Sequence, residues 1–269
     1  MNANATSTLQ HVTSKDGTKI AYDRLGNGPP VVLVCGGSVD RMSNAGLAAV
    51  LASDFSVFNF DRRGRGDSGD KPPYAVEREI EDIDAVVDAA GGSACLYGTS
   101  SGAALALEAA ARLGGRIIRL ALWEPPYILD PAARPPVASE QLKVYDELLS
   151  TGRRGDAAEY FMAKVVRMPA DFVAFARSQP WWPAQEAIAH TLPYDATIMG
   201  DYSLPTNVAA RVKAPTLVLA GGADFPFMLE TAQALAKAIP GGTYRRLEGQ
   251  GHNVDMAVLG PVVAEFFRG

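Results

Sequence analysis

The sequence predicts an α/β protein with a mostly parallel eight-stranded sheet, helices on both faces of that sheet and a helical insertion. Two observations lead to this prediction. Short apolar runs alternate with stretches of helical periodicity along most of the chain, as in β–α–β units. The alternation stops between Pro125 and Pro205, where the pattern is mainly helical. With 269 residues, 48% of them hydrophobic, the chain can form one full-sized domain of this kind.

The strands differ in pattern between the start and the rest of the chain. Leu9–Thr13 and Thr18–Arg24 flank Asp16-Gly17, a turn dipeptide that predicts a hairpin. The later strands are continuous apolar runs, which is typical of strands covered on both faces. We predict them at Val31–Cys35, Ser56–Phe60, Ala94–Tyr97, Ile118–Trp123, Thr216–Ala220 and Gly242–Leu247. Helices are predicted between and after them at Leu47–Leu51, Glu77–Ala90, Gly102–Arg112, Leu229–Ile239 and Val258–Phe267.

The interrupted stretch predicts a cap over one edge of the sheet. It begins at Pro125-Pro126, is helical from Ser139 to Ala176 and closes near Leu204-Pro205. Ligands of open α/β sheets bind at the carboxyl ends of the strands, so an insertion there would cover the binding crevice. We therefore predict a core of residues 1–124 and 203–269 and a helical cap of residues 125–202.

The strongest local motif is Gly98-Thr99-Ser100-Ser101-Gly102, which follows a predicted strand and precedes a predicted helix. A strand that turns into a helix at once forces the central serine into a strained backbone conformation and leaves no room for side chains two residues away. Ser100 is therefore predicted to be a nucleophile. Of the three histidines, His252 lies in a Gly-rich loop after the last strand, at the same sheet edge, and is the predicted base. His190, in the insertion, is the remaining alternative, whereas His11 lies on the first strand.

The chain resembles the α/β-hydrolase superfamily over nearly its whole length. The resemblance rests on the serine motif, on the Gly251-His252 step and on residues 61–68, which are similar to the D-x-x-G-x-G-x-S turn of that family. It is closest to small bacterial hydrolases that include the zearalenone-lactonase-like enzymes, because of the doubled serine and the Trp123-Glu124-Pro125-Pro126 segment. The resemblance implies the α/β-hydrolase fold and a serine esterase or lactonase.

Two carboxylates are candidates for the acid that orients the histidine. Asp224 follows the strand Thr216–Ala220, where most of the superfamily has its acid. Glu124 ends the strand Ile118–Trp123, where the zearalenone-lactonase-like group and some haloalkane dehalogenases carry a glutamate. The resemblance favours Glu124, and both residues stay under consideration.

The oxyanion hole is expected to consist of backbone N–H groups. One donor should be Ser101, and the other Gly37 or Ser38 in the loop after the third strand. This loop departs from the usual His-Gly pattern of the superfamily, since it reads Cys35-Gly36-Gly37.

Composition excludes several other classes of function. A net charge of −5 argues against nucleic-acid binding, and we interpret the short basic run of residues 61–65 as a solvated loop. Gly64–Gly69 matches G-x-G-x-x-G, but Pro72-Pro73 follows, so no helix is available to bind a dinucleotide. The histidine and cysteine spacing predicts no metal site. No apolar stretch of membrane-spanning length and no signal peptide is apparent, which predicts a cytoplasmic protein without membrane association.

The sequence therefore predicts a hydrolase that cleaves an ester or lactone of a small, mainly apolar substrate through an acyl-enzyme on Ser100. No cofactor is expected, and the chain should be a monomer or homodimer. Aromatic residues of the insertion suggest substrate contacts, with Trp182 and Tyr127 as the choices. The alternatives are a hydrolase-like ligand receptor, an inactive relative, or an amidase, C–C hydrolase or perhydrolase on the same fold.

Overall fold

The computed structural model describes residues 8–269 and contains one central sheet. Its strands are β1 (Thr8–Thr13), β2 (Lys19–Leu25), β3 (Pro30–Val34), β4 (Ser56–Phe60), β5 (Ala94–Thr99), β6 (Ile117–Trp123), β7 (Thr216–Gly221) and β8 (Thr243–Leu247). They pair in the order β1-β2-β4-β3-β5-β6-β7-β8. The pairs β1–β2 and β2–β4 are antiparallel, and every other pair is parallel. The predicted fold class is thereby confirmed.

The α-helices fall into two sets by position in the chain. Those of the sheet region are α1 (Ala45–Leu51), α2 (Val76–Ala89), α3 (Ser101–Leu113), α9 (Thr206–Ala209), α10 (Pro226–Ala238) and α11 (Met256–Arg268). Those of the insertion are α4 (Ala138–Ser150), α5 (Arg154–Tyr160), α6 (Ala170–Arg177), α7 (Trp182–Ile188) and α8 (Leu192–Met199). A π-helical turn at Phe161–Val165 continues α5, and short 3₁₀ turns occupy Arg41–Asn44, Gly114–Arg116, Pro131–Ala133 and Ala189–Thr191. None of the helices in residues 8–269 has the length and apolarity that crossing a membrane requires.

The sheet separates two hydrophobic layers because successive strand residues point to opposite faces. Val32 and Val34 face a layer that contains buried residues of α2, α3 and α10. Val31 and Leu33 face a second layer, formed with α1 and α11. Burial on both faces explains why the parallel strands are continuous apolar runs rather than alternating ones.

The insertion lies between β6 and β7. Its predicted helical stretch from Ser139 to Ala176 is divided into three α-helices, because Gly152 has a φ of 75° and Pro169 precedes α6. Its helices bury small apolar clusters of their own, one of which contains Tyr145, Leu148 and Leu192. These separate clusters support the division into a core of residues 1–124 and 203–269 and a cap of residues 125–202, which we retain as a proposal.

Candidate active site

Strand register brings Ser100 and Glu124 to the same edge of the sheet. Thr99, the last residue of β5, pairs with Trp123, the last residue of β6. The backbone N–H of Ser100 donates to Trp123 O at 2.9 Å, and that of Glu124 donates to Leu219 O on β7 at 3.0 Å. The two side chains predicted as nucleophile and acid therefore follow directly from neighbouring strand ends.

The turn at Ser100 is strained and tightly packed. Ser100 has a φ of 55°, in the left-handed region that side-chain-bearing residues rarely adopt. A Cβ at Gly98 would lie 2.4 Å from Gly102 O, and one at Gly102 would lie 2.3 Å from Cys35 O. Neither glycine can be replaced without moving backbone, which is the constraint that the sequence motif predicted.

His252 and Glu124 form a hydrogen-bonded pair at this edge. His252 Nδ1 lies 2.7 Å from Glu124 Oε2, and Glu124 Oε1 accepts a 2.7 Å hydrogen bond from the backbone N–H of Gly221. The Glu124 side chain is fully buried, whereas the His252 ring is 41% exposed. Burial raises the pKa of Glu124 above its ordinary value, and the hydrogen bonds from His252 and Gly221 oppose that rise. Glu124 thus binds Nδ1 of His252, while the rest of the His252 ring is partly exposed.

The loop that carries His252 is held close to β7 by a glycine and by a tryptophan. A Cβ at Gly221 would lie 2.2 Å from Gln250 O, so only glycine allows this approach. Trp123 Nε1 donates a 3.0 Å hydrogen bond to the backbone oxygen of His252. Both contacts join the histidine loop to the strand ends that precede Glu124 and Asp224.

Asp224 lies beside this pair but makes no hydrogen bond to it. Its Oδ1 accepts from the backbone N–H of Phe225 at 2.6 Å, and its Oδ2 is buried without a hydrogen-bond partner. One oxygen or nitrogen each of Glu124, Asp224 and His252 lies within 4.8 Å of the others, so this group within residues 8–269 could in principle hold a cation. The expectation of no metal remains a prediction.

The predicted oxyanion residues lie around Ser100. A Cβ at Gly36 would lie 3.2 Å from the Ser100 Cβ, which places the loop after β3 against the nucleophile turn. In the same loop, Ser38 has a φ of 53°, and its hydroxyl donates to Gln185 Oε1 of the cap at 2.8 Å. Ser101 is the first residue of α3 and is 5% exposed. Gly37 and Ser101 are close neighbours, since a Cβ at Gly37 would lie 3.2 Å from Ser101 Oγ.

The interpretation of residues 61–65 as a solvated loop is wrong. Arg62, Arg63 and Arg65 are among the most deeply buried side chains of the described chain, with at most 1% of their surface exposed. Arg62 binds both oxygens of Glu79 at 2.7 and 2.8 Å, and Arg63 binds both oxygens of Asp82 at 2.8 Å. These paired hydrogen bonds offset the desolvation of the buried guanidinium groups.

Asp195, a cap residue that the sequence pattern did not single out, reaches Ser101 and two of the buried arginines. Its carboxylate accepts hydrogen bonds from Arg62 Nη1 at 2.8 Å, Arg65 Nη2 at 2.7 Å and Ser101 Oγ at 2.8 Å. Burial alone would raise the pKa of Asp195, but Arg65 and Arg62 hold it below its ordinary value. The only sequence signal was an acidic residue within a mainly apolar helix, at α8.

The two residues predicted to contact substrate are packed into the protein interior. Trp182 is 5% exposed, lies in a cap cluster with Ala158 and Ala176, and donates from Nε1 to Glu186 Oε1 at 3.0 Å. Tyr127 is 4% exposed and belongs to the main core layer. These contacts give both rings a packing role and leave almost no surface for a ligand.

The other two histidines lie away from the Glu124 carboxylate. His190 Nδ1 lies 2.7 Å from Arg154 Nη2, and its Nε2 lies 3.8 Å from Asp70. Burial, followed by the charge of Arg154, lowers the pKa of His190. His11 lies on the edge strand β1. His252 is thus the histidine that the structure brings to a buried carboxylate.

Comparison with known proteins identifies the family. Residues 31–263 match the model of the alpha/beta hydrolase family. An alpha/beta hydrolase from Sphaerobacter thermophilus is 53% identical, with a TM-score of 0.89 over 96% of this chain and 100% of that one. No curated protein matches the sequence.

Two more distant structures share the fold. An enol-lactonase from Burkholderia xenovorans is 24% identical, with a TM-score of 0.74 over 97% of this chain and all of that one. A thermophilic esterase from Thermogutta terrifontis is 23% identical, with a TM-score of 0.71 over 97% of each chain. Together with the eight-stranded sheet and the family match, these findings show that the chain belongs to the α/β-hydrolase family.

Proposed function

We propose that the protein is a serine hydrolase that cleaves a carboxylic ester or lactone through an acyl-enzyme on Ser100. The observation that carries the proposal is the coincidence, at one sheet edge, of a strained serine turn and a histidine bonded to a buried carboxylate. A serine hydroxyl needs a base to become a nucleophile, and a histidine needs a partner to stay in the right tautomer. In this proposal His252 acts as the base for Ser100 and Glu124 acts as the partner of His252.

The first step is attack on the carbonyl carbon of the substrate. The oxygen of Ser100 forms the new bond while its proton passes to Nε2 of His252, and the carbonyl becomes a tetrahedral oxyanion. Glu124 accepts the Nδ1–H hydrogen bond at 2.7 Å, which orients the ring and stabilises its positive charge. The Gly221 N–H keeps the carboxylate in place through its other oxygen.

The oxyanion is stabilised by backbone N–H groups of Ser101 and of Gly37 or Ser38. The N–H of Ser101 is unpaired within its helix, because it lies in the first turn of α3. The helix N-terminus adds a partial positive charge at the same place. Donors of this kind contribute about 10²- to 10³-fold each to the rate.

The second half of the reaction releases both products. The tetrahedral intermediate collapses, the C–O bond of the ester breaks, and the alkoxide leaving group takes the proton from His252. A water molecule then attacks the acyl group and gives its proton to His252. The Ser100–acyl bond breaks as His252 returns that proton to the Ser100 oxygen, which yields the acid, free serine and neutral histidine. In a lactone, the alcohol and the acid remain in one molecule.

A small and mainly apolar substrate fits the surroundings of the histidine. His252 and Asp224 line an open depression of about 480 Å³ together with Phe225, which is 60% exposed. Further exposed aromatic rings lie on the cap at Phe172, Phe175 and Trp181. The names of the enol-lactonase and the esterase are compatible with the same substrate class. The resemblance to zearalenone-lactonase-like enzymes, the monomer or homodimer state and the cytoplasmic location remain predictions.

The test combines turnover of a model ester with labelling by a fluorophosphonate probe. Wild-type protein should release many equivalents of alcohol and carry one adduct, located on Ser100 by peptide mass spectrometry. His252→Ala should lose both ester turnover and the probe adduct. The matched control is His190→Ala, because His190 contacts Arg154, and this variant should keep turnover and adduct. A folded wild-type protein that neither turns over nor labels would contradict the proposal and favour a ligand-binding role.

A further inference from the structure

The buried Arg65 binds both ends of the loop that carries the proposed oxyanion donors Gly37 and Ser38. Arg65 Nη1 donates to the backbone oxygen of Gly36 at 2.6 Å and to that of Val39 at 3.2 Å. Gly37 and Ser38, the two candidate donors of this loop, lie between these carbonyls in the chain. A guanidinium that holds both ends of the loop restricts the orientation of the peptide groups between them.

The other side of the same guanidinium is held by the cap. Arg65 Nη2 donates to Asp195 Oδ2 at 2.7 Å, and its Nε donates to the hydroxyl of Thr191 at 3.1 Å. Asp195 also accepts from the hydroxyl of Ser101, the residue whose N–H is the second proposed donor. A single carboxylate from α8 therefore binds Ser101 directly and is linked to the loop of Gly37 and Ser38 through Arg65.

The loop requires such support for two reasons. Ser38 has a φ of 53°, a conformation that persists only where its surroundings impose it. In addition, Gly36 and Gly37 of this loop have no side chains that could hold it in place. Arg65 donates to the Gly36 carbonyl from outside the loop, so that group is satisfied although it is buried.

The arginines that hold the loop belong to a closely paired ionic group without net charge. Two arginines, Arg62 and Arg65, face two carboxylates, Glu79 and Asp195, and each of the four side chains is at most 5% exposed. Buried groups of this kind are held in one arrangement, because a broken pair leaves an uncompensated charge away from water.

We propose that Arg65 is a positioning residue of the oxyanion hole and that Asp195 of the cap is its anchor. This inference rests on the proposed serine chemistry. The cap then acts on the chemical step as well as covering the site, because movement of α8 would shift the donors at Gly37, Ser38 and Ser101. Loss of the anchor should lower kcat more than it raises KM, since the donors act mainly in the transition state.

The test compares Arg65→Lys with Arg63→Lys. Arg63 is a matched control, because it lies two residues away and is equally buried, but it binds Asp82 and Asp16 and has no hydrogen bond to the loop. Lysine keeps the charge but lacks the planar guanidinium group of arginine, so it cannot bind two carbonyls and a carboxylate at once. We expect Arg65→Lys to lower kcat for the model ester about 10- to 100-fold with KM within about threefold. Arg63→Lys should lower the melting temperature similarly and keep kcat within about twofold.

A second measurement separates positioning from general loosening of the site. A trifluoromethyl ketone forms a tetrahedral adduct with Ser100 whose oxyanion occupies the hole, whereas the corresponding methyl ketone binds without forming one. Arg65→Lys and Asp195→Asn should weaken binding of the trifluoromethyl ketone about 10-fold or more and leave the methyl ketone nearly unchanged. Asp195→Asn provides this readout even if Arg65→Lys fails to fold.

Two outcomes would overturn the inference while leaving the proposed function intact. In the first, wild-type protein turns over the ester, and Arg65→Lys loses no more kcat than Arg63→Lys. In the second, Asp195→Asn binds the trifluoromethyl ketone and the methyl ketone more weakly than wild type by the same factor. A wild-type protein that fails to turn over the ester or to form an adduct on Ser100 would overturn the proposed function itself, and the inference with it.

Discussion

Replacement of Glu124 by glutamine tests which carboxylate orients His252. The change preserves the size of a fully buried side chain and removes its charge. The Gly221 N–H, 2.7 Å from Oε1, requires an acceptor, so the glutamine oxygen should remain there. The amide nitrogen then faces His252 Nδ1 and donates to it, which forces the ring proton onto Nε2. In that tautomer, Nε2 cannot accept the proton of Ser100.

The expected loss is large because the wrong tautomer removes the base. Removal of the acid in a serine triad by an isosteric amide lowers kcat about 10⁴-fold. We expect Glu124→Gln to lower kcat by about 10³- to 10⁴-fold, with little change in KM.

The matched variant is Asp224→Asn, which removes the other nearby charge. Asparagine can keep the hydrogen bond from the backbone N–H of Phe225, and the buried Oδ2 has no partner to lose. A unit charge at about 5 Å contributes about 1 kcal/mol in water and about 3 kcal/mol at the effective dielectric constant near a protein surface. We therefore expect a decrease of about fivefold to a few hundredfold, smaller than that of Glu124→Gln. Steady-state kinetics of both variants with one model ester measure the contrast. A larger loss for Asp224→Asn than for Glu124→Gln would refute this reasoning and make Asp224 the acid.

Three predictions concern stability, and chemical denaturation measures each of them. Gly221→Ala places a Cβ 2.2 Å from Gln250 O and should destabilise the fold by about 2 kcal/mol, whereas Gly115→Ala, with no atom within 4 Å, should be neutral. Equal stability of the two variants would contradict the close approach at Gly221. Glu79→Gln breaks a buried pair with Arg62 and should lower the free energy of unfolding by about 3 kcal/mol. Glu77, on the same helix as Glu79, forms an exposed pair with Arg112 of α3, so Glu77→Gln should change the free energy of unfolding by less than about 0.5 kcal/mol. Similar losses in the two variants would argue against a buried pair at Glu79. Although burial opposes it, contacts with Thr18 and Arg63 lower the pKa of Asp16 from 3.8 to about 2. Asp16→Asn should therefore lose about 2 kcal/mol at pH 7, and the difference from wild type should narrow as the pH falls below about 4. If the difference in the free energy of unfolding did not change with pH, ionised Asp16 would not be its source.

The order of the elements could be predicted from sequence because it depends on local patterns. Continuous apolar runs mark strands buried on both faces. The glycines of residues 98–102 mark a turn in which an added Cβ would lie within 2.4 Å of a backbone oxygen. The position of His252 after the last strand was likewise visible, since parallel strands place their carboxyl ends at one edge. These features need no knowledge of contacts between distant parts of the chain.

The burial of the three arginines could not be predicted, because their partners are far away in sequence. Arg62 needs Glu79 and Asp195, and Arg65 needs Asp195, a residue of the cap. A basic run followed by charged residues has the same local pattern whether it is solvated or fully paired. The distinction depends on tertiary structure alone.

The roles of the aromatic residues were also beyond local reasoning. Composition showed that the cap is rich in aromatic side chains, but which rings pack inside depends on how its short helices meet. Trp182 is 5% exposed, whereas its neighbour Trp181 is 44% exposed. The choice between Glu124 and Asp224 has the same origin, since both follow strand ends and only the 2.7 Å contact to His252 separates them.

The most direct test of the central claim is to trap the acyl-enzyme. Wild-type protein is mixed rapidly with a p-nitrophenyl ester, quenched in acid within the first turnover and analysed by intact and peptide mass spectrometry. The proposal predicts a burst of one equivalent of p-nitrophenol and one acyl group on the peptide that contains Ser100, both absent in Ser100→Ala. Turnover at the wild-type rate by Ser100→Ala, or an acyl group on another residue, would contradict it.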